Sequence, residues 1–95
     1  MAQEDNGIRA RELLVGHPWR RPMPQGDIRA IHSLTTRERQ VLRLVCVASG
    51  NRDISKQLGI SERTVKSHLT SVMSKIGVTC RAQASVFGFA YYHLL

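Results

Sequence analysis

The chain is short of the residues that stabilise small secreted domains or build catalytic centres. Only two cysteines occur in 95 residues, Cys46 and Cys80. Two cannot make a disulfide scaffold. They read as small buried apolar side chains of a reducing compartment, with a single bridge as the lesser alternative. Aromatic residues make up 5% of the chain and acidic residues number seven, half the fourteen basic ones. The three prolines all fall between positions 18 and 24, so no proline interrupts a helix after that point. No long apolar run exists. The longest uncharged stretch, residues 82–95, is broken by Gln83, Ser85 and His93, and a membrane-spanning helix needs about 20 apolar residues. The opening Met1-Ala2-Gln3-Glu4-Asp5-Asn6 is polar and acidic, unlike a secretory signal. A cytoplasmic protein is the expectation.

What is present fits one small domain. A chain of this length buries little more than about 60% of its unfolded surface, which leaves small scope for a deep catalytic cleft. The hydrophobic fraction of 42% excludes global disorder. The net charge of +7 is unevenly placed. Residues 1–33 are almost balanced, whereas residues 34–95 hold nine basic side chains against Glu38, Asp53 and Glu62. Concentrated positive charge favours a polyanionic partner, nucleic acid first.

Composition divides the chain at the same place. Residues 1–33 read as a mostly irregular tail or linker and residues 34–95 as the domain. Within the tail, residues 8–15 have the pattern of a two-turn helix, which is marginal alone. Trp19, among the prolines, reads as a linker aromatic rather than a docking residue. Asp27 can cap a short turn through which Ile28 and Ile31 touch the domain.

From Leu34 onward the signals are helical. Thr35-Thr36-Arg37-Glu38 fits a capping box. Val41, Leu44, Val45 and Ala48 then make one apolar stripe. Gly50-Asn51 breaks that helix and can cap the next. In the second helix Ile54 and Leu58 share a face, and Gly59 ends it. Ser61 is a suitable N-cap for a third helix, with Ile60 and Val65 at staple spacing. Val65, Leu69, Val72, Met73 and Ile76 form the third helix's apolar stripe, closed by Gly77. Its other face carries Arg63, Lys66, Ser67, Thr70 and Ser74. A short helix, a tight turn and a longer helix with that polar face make a helix-turn-helix, and such a face suits a DNA major groove. Arg52 and Lys56 on the second helix, and Lys75 late in the third, then fall where phosphates would lie. A fourth helix is expected after Thr79 as cap, from Cys80 or Arg81. Ala84, Phe87, Gly88 and Tyr91 line one side of it. Ala82, Val86, Phe89 and Ala90 leave little of the rest polar, so a second buried face, a subunit interface, is expected. The fold class is therefore all-α, a four-helix, bundle-like domain containing a helix-turn-helix.

The residues from Leu34-Thr35-Thr36-Arg37-Glu38, through Asn51-Arg52-Asp53-Ile54 and Leu58-Gly59-Ile60-Ser61-Glu62-Arg63-Thr64-Val65-Lys66-Ser67-His68-Leu69, to Lys75-Ile76-Gly77-Val78 and Arg81-Ala82-Gln83-Ala84, resemble the LuxR/NarL/FixJ family. The likeness covers about residues 34–92 without a gap. It implies the DNA-binding domain of a bacterial transcription regulator, pairing as a homodimer through its last helix on an inverted repeat. It implies base contacts from Arg63, Lys66, Ser67 and Thr70. Asn51, Arg52, Lys56, Ser61, Thr64 and Lys75 are then the expected backbone contacts, and Val86, Phe89 and Ala90 the expected dimer interface. Double-stranded DNA is the expected partner, and RNA polymerase a further one if the protein activates. Glu38 and Arg81 both match strong family positions, and an ion pair between them is expected to join the first and fourth helices. His68, between the two faces, reads as a packed imidazole rather than a base contact.

The chain departs from the family at Ala48, where a glycine is usual, and at Asp53 and Ser55. The first turn is therefore expected to be shifted. No cofactor or metal is expected, because Cys46, His68 and Cys80 lack ligand spacing, and an enzyme is not expected. Two rival readings share parts of this pattern. One is the promoter-reading last region of a primary sigma factor. The other is a partner-dependent module that heterodimerises with a longer regulator and binds DNA weakly alone.

Overall fold

Helix termini, more than helix interiors, set this architecture. The computed structural model describes residues 24–95. Four α-helices follow a short 3-10 helix, Ile28–Ser33: α1 (Thr36–Cys46), α2 (Asn51–Leu58), α3 (Glu62–Ile76) and α4 (Arg81–Ala90), with a closing 3-10 turn at Tyr92–Leu94. The described residues contain no strand. The expected helix at residues 8–15, Trp19 and most of the expected tail lie outside the described residues.

α1 begins at a complete capping box. The Thr35 hydroxyl accepts from the Glu38 amide at 3.1 Å, and the Glu38 carboxylate accepts from the Thr35 amide at 2.8 Å. α2 and α3 end on left-handed Gly59 and Gly77, at φ +69° and +79°. α3 starts at Ser61, whose hydroxyl accepts from the Thr64 amide at 3.0 Å. α1 packs on α3 and α4, and α2 lies mainly on α3. The core runs through Ile31, Val41, Leu42, Val45, Ile54, Val65, Val72, Ile76 and Phe87. Asp27 caps the 3-10 helix as expected, accepting from the Arg29 amide at 2.9 Å, and Ile31 is buried while Ile28 stays exposed. Gly88 lets α4 close on α1, because a side chain there would meet Leu42 and Cys46 at 3.0–3.1 Å.

The structure corrects several local expectations. Leu42 joins the core, and Ala48 leaves the stripe because α1 ends two residues earlier. The N-cap of α2 is Gly50, without a side-chain bond, and Asn51 is already helical. The N-cap of α4 is Cys80, not Thr79. Thr79 instead donates its amide to Gln83 Oε1 at 2.9 Å. Neither cysteine is buried: Cys46 is half-buried, its thiol donating to the Arg43 carbonyl, and Cys80 is exposed at its helix end.

Glu38 and Arg81 do not pair. Glu38 is 5% exposed, and its carboxylate accepts from Lys75 Nζ at 2.8 Å and from the Ser71 hydroxyl at 2.6 Å. Lys75 also donates to the Ser33 carbonyl at 3.1 Å. Arg81 donates to Asn51 Oδ1 at 2.5 Å and to the Ser49 carbonyl at 2.6 Å. The reason is the length of α1. Glu38 lies in its first turn, whereas Arg81 meets the chain just beyond its end, and the helix between them runs roughly 12 Å at 1.5 Å per residue.

The α1–α2 turn is a Schellman motif built without glycine. The Ala48 amide donates to the Val45 carbonyl and the Ser49 amide to the Leu44 carbonyl, with Ala48 at φ +67°. A left-handed L-residue costs about 1–2 kcal/mol, and glycine's greater freedom when unfolded returns roughly half of that. Ala48 is exposed, so its methyl contributes little burial. Ala48→Gly is expected to raise unfolding free energy by about 0.5–1 kcal/mol in urea titrations, and an unchanged or lower midpoint would contradict the strain.

Burial pushes the Glu38 carboxyl up, but the Lys75 ammonium, the Ser71 hydroxyl and the Thr35 amide outweigh it and hold the group at about 2, against an ordinary 4.5. A depressed carboxyl stabilises the fold fully above its unfolded value and less as pH falls through the folded one. About 3 kcal/mol is therefore expected to fade between pH 4.5 and 2. Lys75→Met strands a buried carboxylate, so its destabilisation is expected to be larger at pH 7 than at pH 3. A pH-independent difference between the two proteins would show that the ion pair contributes nothing.

Candidate nucleic-acid interface

The three-residue turn Gly59-Ile60-Ser61 is closed at both ends. The Ile60 amide donates to the Ser55 carbonyl at 3.0 Å, and Ser61 Oγ lies 2.9 Å from Thr64 Oγ1. Ile60 is half-buried before the Ser61 cap and Val65 fully buried after it, the positions of a hydrophobic staple. This fixes the direction in which α3 leaves α2.

α3 divides cleanly by burial. Val65, Leu69, Val72 and Ile76 face the core. Arg63, Lys66, Ser67, Thr70 and Ser74 are all exposed. The ion pairs found among the described residues lie elsewhere, at Arg29–Asp27 and Lys75–Glu38. The face thus presents a guanidinium, an ammonium and three hydroxyls, with Glu62 as the acid of the first turn. On α2, Arg52 and Lys56 stand one turn apart and exposed, opposite buried Ile54. His68 is half-buried between the two faces of α3.

Not every expected contact residue is equally available. Ser61 is exposed, but its hydroxyl already caps α3 and bonds to half-buried Thr64. Asn51 gives its carbonyl oxygen to Arg81. Lys75 is exposed, and its ammonium donates to the Glu38 carboxylate and to the Ser33 carbonyl, so a phosphate there would share it with two partners already in place. The sequence hides this, since a lysine late in a basic helix looks the same whether it meets solvent or a buried acid.

α4 shows a second exposed surface. Phe89 is 69% and Val86 53% exposed, with Ala82 exposed and Ala90 half-buried beside them. Its inner side, Ala84, Phe87 and Gly88, is buried, and Tyr91 meets Phe87 edge-on at 4.9 Å. Val47, exposed at the end of α1, carries no signal in the sequence pattern. The Arg81–Asn51–Ser49 cluster is not evident from sequence either, though one signal exists. Arg81 is a cation in the first turn of a helix, where the dipole disfavours it. Among the described residues no group of His, Cys, Asp or Glu is placed to hold a metal, and no helix is long and apolar enough to cross a membrane.

Known proteins carry the same pattern. The family described as bacterial regulatory proteins, luxR family, matches residues 32–87. The spore germination protein GerE of Bacillus subtilis is 38% identical over 64 residues, covering 67% of this chain and 86% of GerE. The transcriptional regulatory protein LiaR, also of Bacillus subtilis, is 42% identical over 55 residues, 58% of this chain and 26% of LiaR. An HTH-type transcriptional regulator of Mycobacterium tuberculosis is 51% identical over 51 residues, 54% of this chain. The chain spans only 6% of the length of that mycobacterial relative. The mycobacterial protein and LiaR are named as transcriptional regulators. The match falls on the helices that form the turn and its exposed face, and the chain belongs to the luxR family of bacterial regulatory proteins, whose helix-turn-helix DNA-binding domain it carries.

Proposed function

We propose that residues 34–95 bind double-stranded DNA sequence-specifically, as a homodimer on an inverted repeat, and thereby regulate transcription in the cytoplasm. The exposed face of α3 carries this reading. An α-helix fits the major groove, and Arg63 and Lys66 have the donors to meet guanine O6 and N7. Ser67 and Thr70 donate or accept with several bases, so they discriminate less. Arg52 and Lys56, with Asn51, Ser61 and Thr64, meet phosphates and set register and salt dependence. Lys75, exposed late in α3 and bonded to Glu38, is a further phosphate contact at the far end of that helix. Of the residues before Leu34, the 3-10 helix Ile28–Ser33 packs Ile31 into the core of this domain.

Pairing is supported by α4. Phe89 and Val86 expose apolar surface on one side of a helix whose other side is already buried. A second copy covering them would make an interface with two-fold symmetry, matched by an inverted repeat.

Two measurements test this. Selection from random duplexes at about 0.15 M salt is expected to enrich an inverted repeat with half-sites about 10 base pairs apart. The Arg63→Ala, Lys66→Ala double variant is expected to lose at least ~10-fold in affinity and most of the sequence preference. Weak, unselective binding by both proteins would sink the reading. Phe89→Glu is expected to keep the fold, because the ring is exposed, and to turn a dimer into a monomer by light scattering. A wild-type chain that is monomeric at all concentrations would favour a heterodimerising module instead.

A further inference from the structure

The start of α2 is held by something other than its own cap. Gly50, the N-cap, offers no side chain, and the first helical bond runs from the Ile54 amide to the Gly50 carbonyl at 2.9 Å. What grips this end is Arg81. One guanidinium nitrogen donates to Asn51 Oδ1 at 2.5 Å and the other to the Ser49 carbonyl at 2.6 Å. The two acceptors flank Gly50, so a planar fork spans the turn from one side. A guanidinium suits that task because its donors have fixed relative geometry, which an ammonium lacks.

The location is electrostatically mixed. Arg81 opens α4 and reaches to the opening of α2, so a cation stands at two helix N-termini. Arg52 lines the same open cleft, with Glu62 as its acid. The Ser49 carbonyl, just past the C-terminus of α1, and Glu62 offset part of that cost. The placement gains if the turn must be rigid beside a polyanion.

We propose that Arg81 is a positioning residue for DNA backbone binding. It does not read bases. It orders residues 49–52, so that Arg52 and the first turn of α2 reach phosphate without a loss of chain entropy at the moment of binding. The proposal rests on the DNA-binding reading above.

The test is a double-mutant cycle on the full chain, with Arg81→Met, Arg52→Ala and the combination. Affinity for the selected duplex is measured across salt concentrations and corrected for the folded fraction from urea unfolding. Arg81→Met is expected to weaken binding about tenfold, a size fitting the loss of charge-assisted hydrogen bonds. Arg52→Ala alone is expected to lower the salt slope by about 1. In the Arg81→Met background it is expected to lower it by less than half as much. Asn51→Ala, which keeps the Arg81–Ser49 bond, is expected to weaken binding by a smaller factor. In the free Arg81→Met protein, exchange of the Ile54 amide is expected to speed up, while amides of Val41 and Val45 keep their protection. Unchanged affinity per folded molecule would overturn the proposal. Strict additivity with Arg52→Ala would also overturn it, since two independent phosphate contacts add. A wild-type chain that selects no duplex would instead overturn the DNA-binding reading, and this proposal with it.

Discussion

A carboxylate buried to 5% exposure needs partners for its lone pairs, and the partners of Glu38 bind three elements into one frame. The Thr35 amide is the orphan donor at the start of α1, Ser71 and Lys75 belong to α3, and Lys75 reaches on to Ser33 in the 3-10 helix. Ser71 and Lys75 are four residues apart, so they share one edge of α3. Fixing that edge fixes the rotation of the whole helix. With that edge held and Val65, Leu69, Val72 and Ile76 buried, Ser67 and Thr70 lie toward solvent. The outward face thus follows from the buried stripe, and the Glu38–Lys75 pair pins one edge of it.

The same ion pair redistributes the charge. Nine cations occupy residues 34–95, but not all of them form a surface field. Lys75 neutralises Glu38. Arg37 donates to Gln40 within α1. Arg39 donates to the carbonyls of Ile31, Leu34 and Leu94, and Arg43 to that of Leu95, so both fasten flanking segments onto α1. Arg81 fastens the α1–α2 turn. The residues left fully outward are Arg52, Lys56, Arg63 and Lys66, all on the two helices of the helix-turn-helix. The positive face owes its selectivity of place to this division, in which α1 and α4 commit most of their arginines to backbone carbonyls.

Local chemistry is legible in the sequence. The Thr35–Glu38 box, the Ser61 cap, Gly59 and Gly77 depend on neighbours three or four residues apart, and the order of residues displays them. The stripe of α3 and its polar complement are legible for the same reason. The partner of Glu38 is not. Choosing between Lys75 and Arg81 requires knowing which end of α1 each approaches, a matter of tertiary direction. Cys46 and Cys80 mislead because residue type predicts average burial, whereas a helix end at the domain edge decides it. The departure at Ala48 is visible in the sequence, but its result is not a displaced turn. The backbone keeps the left-handed geometry and accepts an alanine in it.

α1 therefore works as a spacer with a clamp at each end. At its start Glu38 holds α3, and past its end Arg81 and the Ala48 turn hold the opening of α2. The angle between α2 and α3 is set twice, by the turn at Gly59-Ile60-Ser61 and by these two anchors. The turn fixes the angle where the two helices meet, and the anchors act at their far ends. With both helices anchored to the same rod, a change of angle must break a buried charge pair or a guanidinium fork. Rigidity of this kind matters most where helices must meet a partner of fixed pitch, as the grooves and phosphates of a duplex are.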